Sequence, residues 1–250
     1  MSWWDIIAIQ PMINIIIVIS DFLFNSSGLA IIALTIIVNL IILPLTMKQI
    51  RSSKAMQDIQ PKLLEIQQKY ARDKQKLAQE QMKLYREAGM SPAGCILPML
   101  VQMPIWIALY QAIIRVLAAT PEDFLGLGRY LYNWPSIYSI LPLSNRFLWF
   151  DLGVPDYYMA LPFLVGATMW IQQKMSTMPS PDPRQQQQNE MMLWMMPMMF
   201  TFFALQFPSG LALYWVVSSI IRIGIQAGIA GWGGLKPRKL AAQAKVKKVV

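Results

Sequence analysis

The sequence predicts an all-α membrane protein with five transmembrane helices, a cytoplasmic helical hairpin and an outer amphipathic helix. Of its 250 residues, 55% are hydrophobic and 14% are charged. About a quarter of a soluble domain is charged, so much of this chain does not meet water. Five apolar stretches are long enough for a helix to cross a bilayer. The basic residues lie almost entirely in alternate connecting segments, as in multi-pass membrane proteins.

The basic residues predict the orientation. If the first connection, 47–93, is cytoplasmic, then 174–190 and 230–250 lie on the same side of the membrane. These segments hold 18 of the 22 Lys and Arg residues, while the opposite side holds only Arg129 and Arg146. The positive-inside rule therefore predicts an outer amino terminus and a cytoplasmic carboxyl terminus. The net charge of +9 mostly reflects this topology.

The predicted elements follow one another along the chain. They are an outer amphipathic helix (1–26), the first span (27–46), a cytoplasmic hairpin (47–93), the second span (94–117), an outer loop (118–156), the third span (157–173), a cytoplasmic loop (174–190), the fourth span (191–207), the fifth span (209–229) and a basic cytoplasmic tail (230–250).

The first segment suits a helix that lies along the outer surface of the membrane, because polar residues interrupt its apolar run. These residues are Asp5, Gln10, Pro11, Asn14 and Asp21. A sixth span is the alternative. The start lacks the basic segment and the cleavage site of a secretory signal, and no transit peptide precedes Trp3. We therefore expect a protein of the bacterial plasma membrane.

The segment 47–93 is predicted to be a helical hairpin in the cytosol. A helical apolar stripe runs through it and resumes after the polar break Arg72-Asp73-Lys74. Pro61 is expected to start or kink the first arm. The hairpin is either a solvated linker or a docking platform for a partner. The residues of such a platform are Lys48, Arg51, Lys54, Pro61, Tyr70 and Arg72.

The cytoplasmic loop 174–190 has three prolines followed by four glutamines. This composition predicts a mobile, largely unstructured segment. The fourth span has six Met among its first ten residues. Met is flexible and polarizable, so these side chains either fill gaps and face lipid or form a surface that adapts to apolar partners. Pro197 is expected to bend this helix.

Polar side chains inside the predicted spans are the candidate functional residues, because each costs free energy unless it faces protein or water. Asn39 lies about 18 Å into the first span and Arg222 about 20 Å into the fifth, at 1.5 Å per residue. Trp215 and Ser219 precede Arg222 at helical spacing and Gln226 follows it, so the four residues share one face. The remaining candidates are Gln102, Gln172 and Gln173.

Together these residues predict a polar, hydrated cavity among the helices. Taken singly, Asn39 or Gln102 is explained by a hydrogen bond between helices, and Arg222 by snorkelling to the inner interface. No Asp or Glu lies in the middle of a span, which argues against a proton relay. A small-solute transporter or channel is the alternative, since it also needs polar groups within spans.

The composition argues against an enzyme. The chain has no His and one Cys, which excludes His-based acid and base chemistry, Ser-His and Cys-His nucleophiles and the commonest zinc sites. No mid-span carboxylate pair is available for an intramembrane protease. We expect no catalytic residue, no metal and no cofactor.

Several motifs occur in one order with compatible spacing, from Trp3 to about Gln226, and together they closely resemble the YidC/Oxa/Alb membrane protein insertases. The motifs are IILPLT, SSKAMQDIQPKL, AGMSPAGCILPMLVQMPIWIALYQAI, GATMWIQQKMS and FPSGLALYWVVSS.

The resemblance implies a five-helix core around a hydrophilic groove that is open to the cytosol and to lipid and closed to the outside. It implies a chaperone that inserts nascent membrane proteins without nucleotide. The groove residues would be Asn39, Gln173 and Trp215, with Gln102 and Gln172 as neighbours. The hairpin would receive substrate beside the lipid bilayer, with the ribosome and a Sec translocon as candidate partners. The basic tail, 230–250, would contact ribosomes or anionic lipid, or would be basic only because of topology.

One position departs from the family pattern. The family usually has Arg in the first span before the LPLT element, and this chain has Asn39 there. We hypothesise that Arg222, at a similar depth in the fifth span, supplies the missing positive charge.

Overall fold

The structure, a computed structural model, describes residues 2–88, 93–117, 125–134, 137, 141, 143–177 and 183–235. The chain is mostly helical within these residues, which confirms the predicted helical character. The basic tail from 236 onward and the proline segment 178–182 lie outside the described residues.

The helices of the described residues are numbered here in chain order. They are α1 (Gln10–Phe22), α2 (Ser27–Ile41), α3 (Leu43–Lys69), α4 (Lys74–Glu87), α5 (Ala93–Val116), α6 (Ala160–Ser176), α7 (Pro183–Ala204) and α8 (Ser209–Ile229). A π-helical turn, Asp5–Ile9, precedes α1. Two short antiparallel strands, β1 (Arg146–Phe147) and β2 (Phe150–Asp151), form a small hairpin that the all-α prediction omitted.

The first helix packs into the protein with one face. Ile13, Ile16 and Ile17 recur at helical spacing and are fully buried, as is Ile9 at the end of the preceding turn, and α1 contacts α2 and α5. Asn14 is also buried; its Nδ2 donates to the Tyr130 carbonyl at 2.8 Å, and its Oδ1 accepts from the Tyr132 amide at 2.8 Å. The polar residues of this segment therefore include one that joins α1 to the outer loop. The position of α1 along the membrane surface stays a prediction.

The first span and the hairpin meet at a sharp bend. The predicted span was 27–46, but α2 ends at Ile41 and α3 begins at Leu43, with an angle of 63° between the two helices. Pro44 lies in the first turn of α3, where its missing amide hydrogen costs no helical hydrogen bond. Residues 43–46 therefore belong to the first arm of the hairpin. At the other end, Ser26 caps α2.

Length and hydropathy single out fewer spans than the sequence predicts. Among the described residues, Asp5–Phe22 and Ser209–Ile229 are long and apolar enough to cross a membrane, and α2 with the start of α3 qualifies as one bent pair. The helix α6 has 17 residues, and α7 begins with a polar segment. Five membrane crossings therefore stay a prediction.

The hairpin consists of α3 packed on α4. Its second arm starts where the polar break was predicted, because the Asp73 carboxylate accepts from the Lys76 amide at 3.0 Å and caps α4. Pro61 lies inside α3. The expectation that it starts the arm is therefore wrong, since Pro44 already occupies the first turn.

The helix that contains the fourth predicted span begins earlier than that span. Residues 183–190, expected to be unstructured, form the first turns of α7. Pro183 is the first residue of the helix, where proline is favoured, and glutamine is a good helix former. Gln186 also donates to Glu190 one turn later at 3.1 Å. The local helix propensity thus outweighs the low-complexity composition.

The amino-terminal end of α8 is densely packed against the outer loop. The Ser209 hydroxyl donates to the Val154 carbonyl at 2.7 Å, and the Gly210 amide donates to the Leu152 carbonyl at 3.0 Å. A Cβ atom on Gly210 would lie 3.2 Å from Ile113 and would collide with Leu117. This end of the helix is closed by protein, whereas its other end borders a cavity.

Candidate functional site

An open cavity lies between the first half of α3 and the carboxyl-terminal parts of α6 and α8. Its lining is rich in hydroxyl and amide groups and contains two cations and no carboxylate. The lining residues are Thr46, Gln49, Ile50, Ser53, Lys54, Gln172, Ser176, Arg222, Gln226 and Ala230. The predicted candidates Gln172, Arg222 and Lys54 therefore meet in one place.

Arg222 is the half-buried cation of this cavity. Its guanidinium donates to Gln102 Oε1 on α5. The Tyr214 hydroxyl lies close enough to interact with Arg222, Gln102 and Ser218. In the described part of the chain no carboxylate pairs with Arg222, and the ionisable group that interacts with it is Tyr214. The positive charge is therefore held by neutral groups only.

Asn39 belongs to the same polar network. Its side chain is 5% exposed, and its Nδ2 donates to the Thr35 carbonyl at 2.8 Å and to the Ser218 hydroxyl at 3.3 Å. Ser218 in turn lies against Tyr214. A chain of polar side chains thus connects α2 to the cation on α8, which brings Asn39, Gln102 and Arg222 together.

Trp215 does not line the cavity. It is 5% exposed and stacks on Trp106, with ring centroids 6.2 Å apart and planes at 6°. Phe200 meets it edge-on at 5.3 Å, and Phe207 at 6.4 Å. Helical spacing correctly placed Trp215 and Arg222 near one face, but seven residues separate them by about 10 Å along the axis. The cavity lies at the level of Arg222, toward the carboxyl-terminal end of α8.

Four further predicted residues also lie outside the lining: Asn39 and Gln102, which belong to the polar network, and Ser219 and Gln173. Ser219 is buried, at 4% exposure, one turn after Trp215 on α8. Gln173 is half-buried, and its carbonyl accepts from the amide and the hydroxyl of Thr177, both at 2.8 Å. Of the neighbouring pair at the end of α6, only Gln172 faces the cavity.

The platform candidates are distributed along the hairpin. Lys54 lines the cavity, while Lys48, Arg51, Pro61 and Arg72 are exposed. Tyr70, at the tip, lies between Lys69 and Lys76, whose ammonium nitrogens are 5.6 and 5.7 Å from the centre of its ring. A receiving role for these residues stays a prediction.

Several cavity and network residues were absent from the sequence prediction. Tyr214 and Ser218 were missed, although they precede Arg222 at steps of four, which is a detectable signal. Ser176 was also missed; it bonds to Gln226, which the helical spacing did predict on the Arg222 face, with Gln226 Nε2 donating to Ser176 Oγ at 3.2 Å. The contributions of Thr46, Gln49 and Ser53 depend on the bend before α3, which the sequence did not predict.

Comparison with known proteins identifies the family. The family model described as 60Kd inner membrane protein matches residues 18–232. The chain belongs to this family. Membrane protein insertase MisCA of Bacillus subtilis strain 168 is 39% identical over 226 residues, covering 88% of this chain and 77% of that protein. Membrane protein insertase YidC of Oceanobacillus iheyensis is 42% identical over 229 residues, covering 88% of this chain and 81% of its own length.

A solved structure of a longer family member is also similar. The crystal structure of an active YidC insertase with its first transmembrane domain resolved superposes with a TM-score of 0.59 at 26% identity. The match covers 90% of this chain and 46% of that one. The family resemblance drawn from the sequence motifs is thereby confirmed.

Proposed function

We propose that this chain is a membrane protein insertase and chaperone that moves hydrophobic segments of nascent proteins from the cytosol into the bilayer, without hydrolysing a nucleotide. The relatives named above carry the insertase name. The observation that carries the mechanism is the cation of Arg222, which borders an open polar cavity and has no carboxylate partner in the described residues. A solute transporter is not favoured.

In the proposed topology α2, α5, α6, α7 and α8 cross the membrane, and the amino terminus lies outside. The orientation is supported by the distribution of the basic residues. The closed end of α8 at Ser209 and Gly210 would then face outward, and the cavity near Arg222 would face the cytosol. Such a site admits a polar segment from one side only, whereas a channel requires a path that opens to both.

The cavity would lower the barrier to moving a polar segment across. A charged residue at the centre of the membrane costs about 2.5–3.5 kcal/mol on insertion scales. Hydroxyl, amide and cationic groups in the lining provide hydrogen bonds that hydrocarbon does not. Burial of the apolar part of the substrate, at about 25 cal/mol per Å², supplies the driving force.

Arg222 would select acidic substrate segments. It would supply the positive charge that the family usually has at position 39, and the polar network through Ser218 and Tyr214 supports this exchange because it joins the two positions. A substrate carboxylate would replace Gln102 as a partner or bind beside it. The hairpin would receive the segment first, and the tail would contact the ribosome.

The proposal is tested by reconstituting the purified chain in liposomes. Addition of a short single-span protein without nucleotide should give a membrane-protected fragment after protease treatment, above the level in empty liposomes. Flux of a trapped solute without any protected fragment would instead support a transporter and contradict the proposal.

A further inference from the structure

The cavity carries an unbalanced charge. Lys54 and Arg222 both line it, and none of its ten lining residues is Asp or Glu. Arg222 is half-buried, and taking a cation out of bulk water without a counter-charge is costly. The site is therefore chemically matched to an anion, and Thr46, Gln49 and Ser53 add neutral hydrogen-bonding groups around it.

The donors suit a phosphate group. A guanidinium carries five N–H donors in a planar fork, and the bond from Arg222 to Gln102 uses one of them. The remaining donors can bind two oxygens of a phosphate at once, which is the strong bidentate geometry. Lys54, an exposed residue of α3 that also lines the cavity, adds a second positive charge.

The depth of the cavity suits a lipid headgroup. Ser176 is the last residue of α6, and Ala230 follows the last residue of α8. In the orientation proposed above, these helix ends lie at the inner boundary between hydrocarbon and headgroups. Arg222 lies eight residues deeper than Ala230, or about 12 Å along the helix, and the open cavity connects the two levels, since both residues line it.

We propose that the cavity binds the phosphate of an anionic phospholipid from the inner leaflet when no substrate segment occupies it. The lipid neutralises Lys54 and Arg222 in the resting protein, and an acidic substrate segment displaces it. The orientation and the displacement rest on the proposed insertase function. The binding itself depends only on the cavity.

The test measures lipid retention by native mass spectrometry of the full chain purified in detergent. Phosphatidylglycerol and phosphatidylcholine with the same acyl chains are the probes, and no substrate is present. The wild-type chain should retain one phosphatidylglycerol in preference to phosphatidylcholine. Arg222→Gln and Lys54→Gln should each weaken that retention about tenfold, the effect of losing one charged hydrogen-bonding partner.

The matched control is Lys62→Gln, an exposed lysine on the same helix as Lys54 but outside the lining. It should retain phosphatidylglycerol like the wild type. Arg222→Lys keeps the charge, and its retention should exceed that of Arg222→Gln, which separates loss of charge from loss of folding. Equal retention of both lipids, or an equal loss in Lys62→Gln, would overturn the proposal.

Inorganic phosphate distinguishes the two sources of the anion. Phosphate added in excess should leave the lipid bound, since the acyl chains also contribute to binding; complete displacement would assign the site to a free phosphate instead. Because no substrate is used, failed lipid retention leaves the insertion test unaffected. Retention without insertion would refute only the proposed function.

Discussion

Replacing Gln102 by Glu would neutralise the Arg222 cation from within the protein. In the wild type, Gln102 Oε1 accepts a hydrogen bond from the guanidinium of Arg222. Glutamate has nearly the same shape and puts a carboxylate oxygen in the same place. The variant therefore neutralises the charge of Arg222 without removing Arg222 or emptying any volume.

The magnitude follows from the contact between the two groups. Unit charges about 4 Å apart attract by about 4 kcal/mol at an effective dielectric constant of 20. A charge-assisted hydrogen bond contributes about 1.5–3 kcal/mol, and this is what an incoming substrate carboxylate would lose. Insertion of substrates with an acidic outer tail should therefore fall about ten- to a hundredfold.

The assay compares two substrates in liposomes, identical except that the acidic residues of the outer tail are replaced by their amides. Gln102→Glu should slow insertion of the acidic substrate. The insertion rate of the neutral substrate should stay within about twofold of the wild-type rate, a smaller change than the loss of one charged hydrogen bond would cause. The control is Gln187→Glu, the same chemical change at an exposed position of α7.

Equal loss for both substrates would show that the Gln102 substitution acts through folding. Unchanged insertion of the acidic substrate would refute the role given to the Arg222 charge. Either outcome would leave the polar network as a purely structural bond between helices.

Three other substitutions and one deletion give further predictions. Arg222→Ala should impair acidic substrates at least tenfold more than neutral ones in the liposome assay, and equal effects would contradict the charge hypothesis. Asn39→Ala removes the bond to Ser218 and should lower the free energy of unfolding by about 1 kcal/mol, measured by denaturation in detergent; an unchanged value would mean that the bond does not stabilise. Trp215→Ala empties the stack on Trp106 and should cost about 3–5 kcal/mol, with equal loss of insertion for all substrates rather than a charge-selective one. Deleting 236–250 should abolish salt-sensitive co-sedimentation with ribosomes; unchanged binding would exclude the tail.

The sequence predicts the helices best where one physical signal dominates. The helix Ser209–Ile229 has the bounds expected of the fifth span, because the Phe-Pro-Ser turn starts it and an uninterrupted apolar run continues it. The second arm of the hairpin begins at the polar break, since Asp73 is both a helix cap and part of that break. These features are local, so periodicity and capping suffice to find them.

Other features depend on interactions that periodicity does not record. The bend before Leu43 divides a run that is apolar on both sides, so hydropathy alone does not reveal it. Two residues on one helical face can also lie at different depths. Trp215 and Arg222 share a face, yet only Arg222 lines the cavity, because α3 and α6 border α8 along its carboxyl-terminal half. Gln102 was predicted as a polar residue within a span. Its hydrogen bond with Arg222 on α8 depends on the packing of α5 against α8, which the sequence pattern does not record.

The central claim, that polar parts of a substrate pass beside Arg222, is tested most directly by cross-linking. A photoreactive residue replaces either Gln226, which lines the cavity, or Met198, which is 64% exposed on α7. A ribosome-stalled single-span protein with an acidic tail serves as substrate. The account predicts adducts between position 226 and the tail, and none between position 198 and the tail. Tail adducts at position 198 alone, or equal yields at both positions, would contradict it.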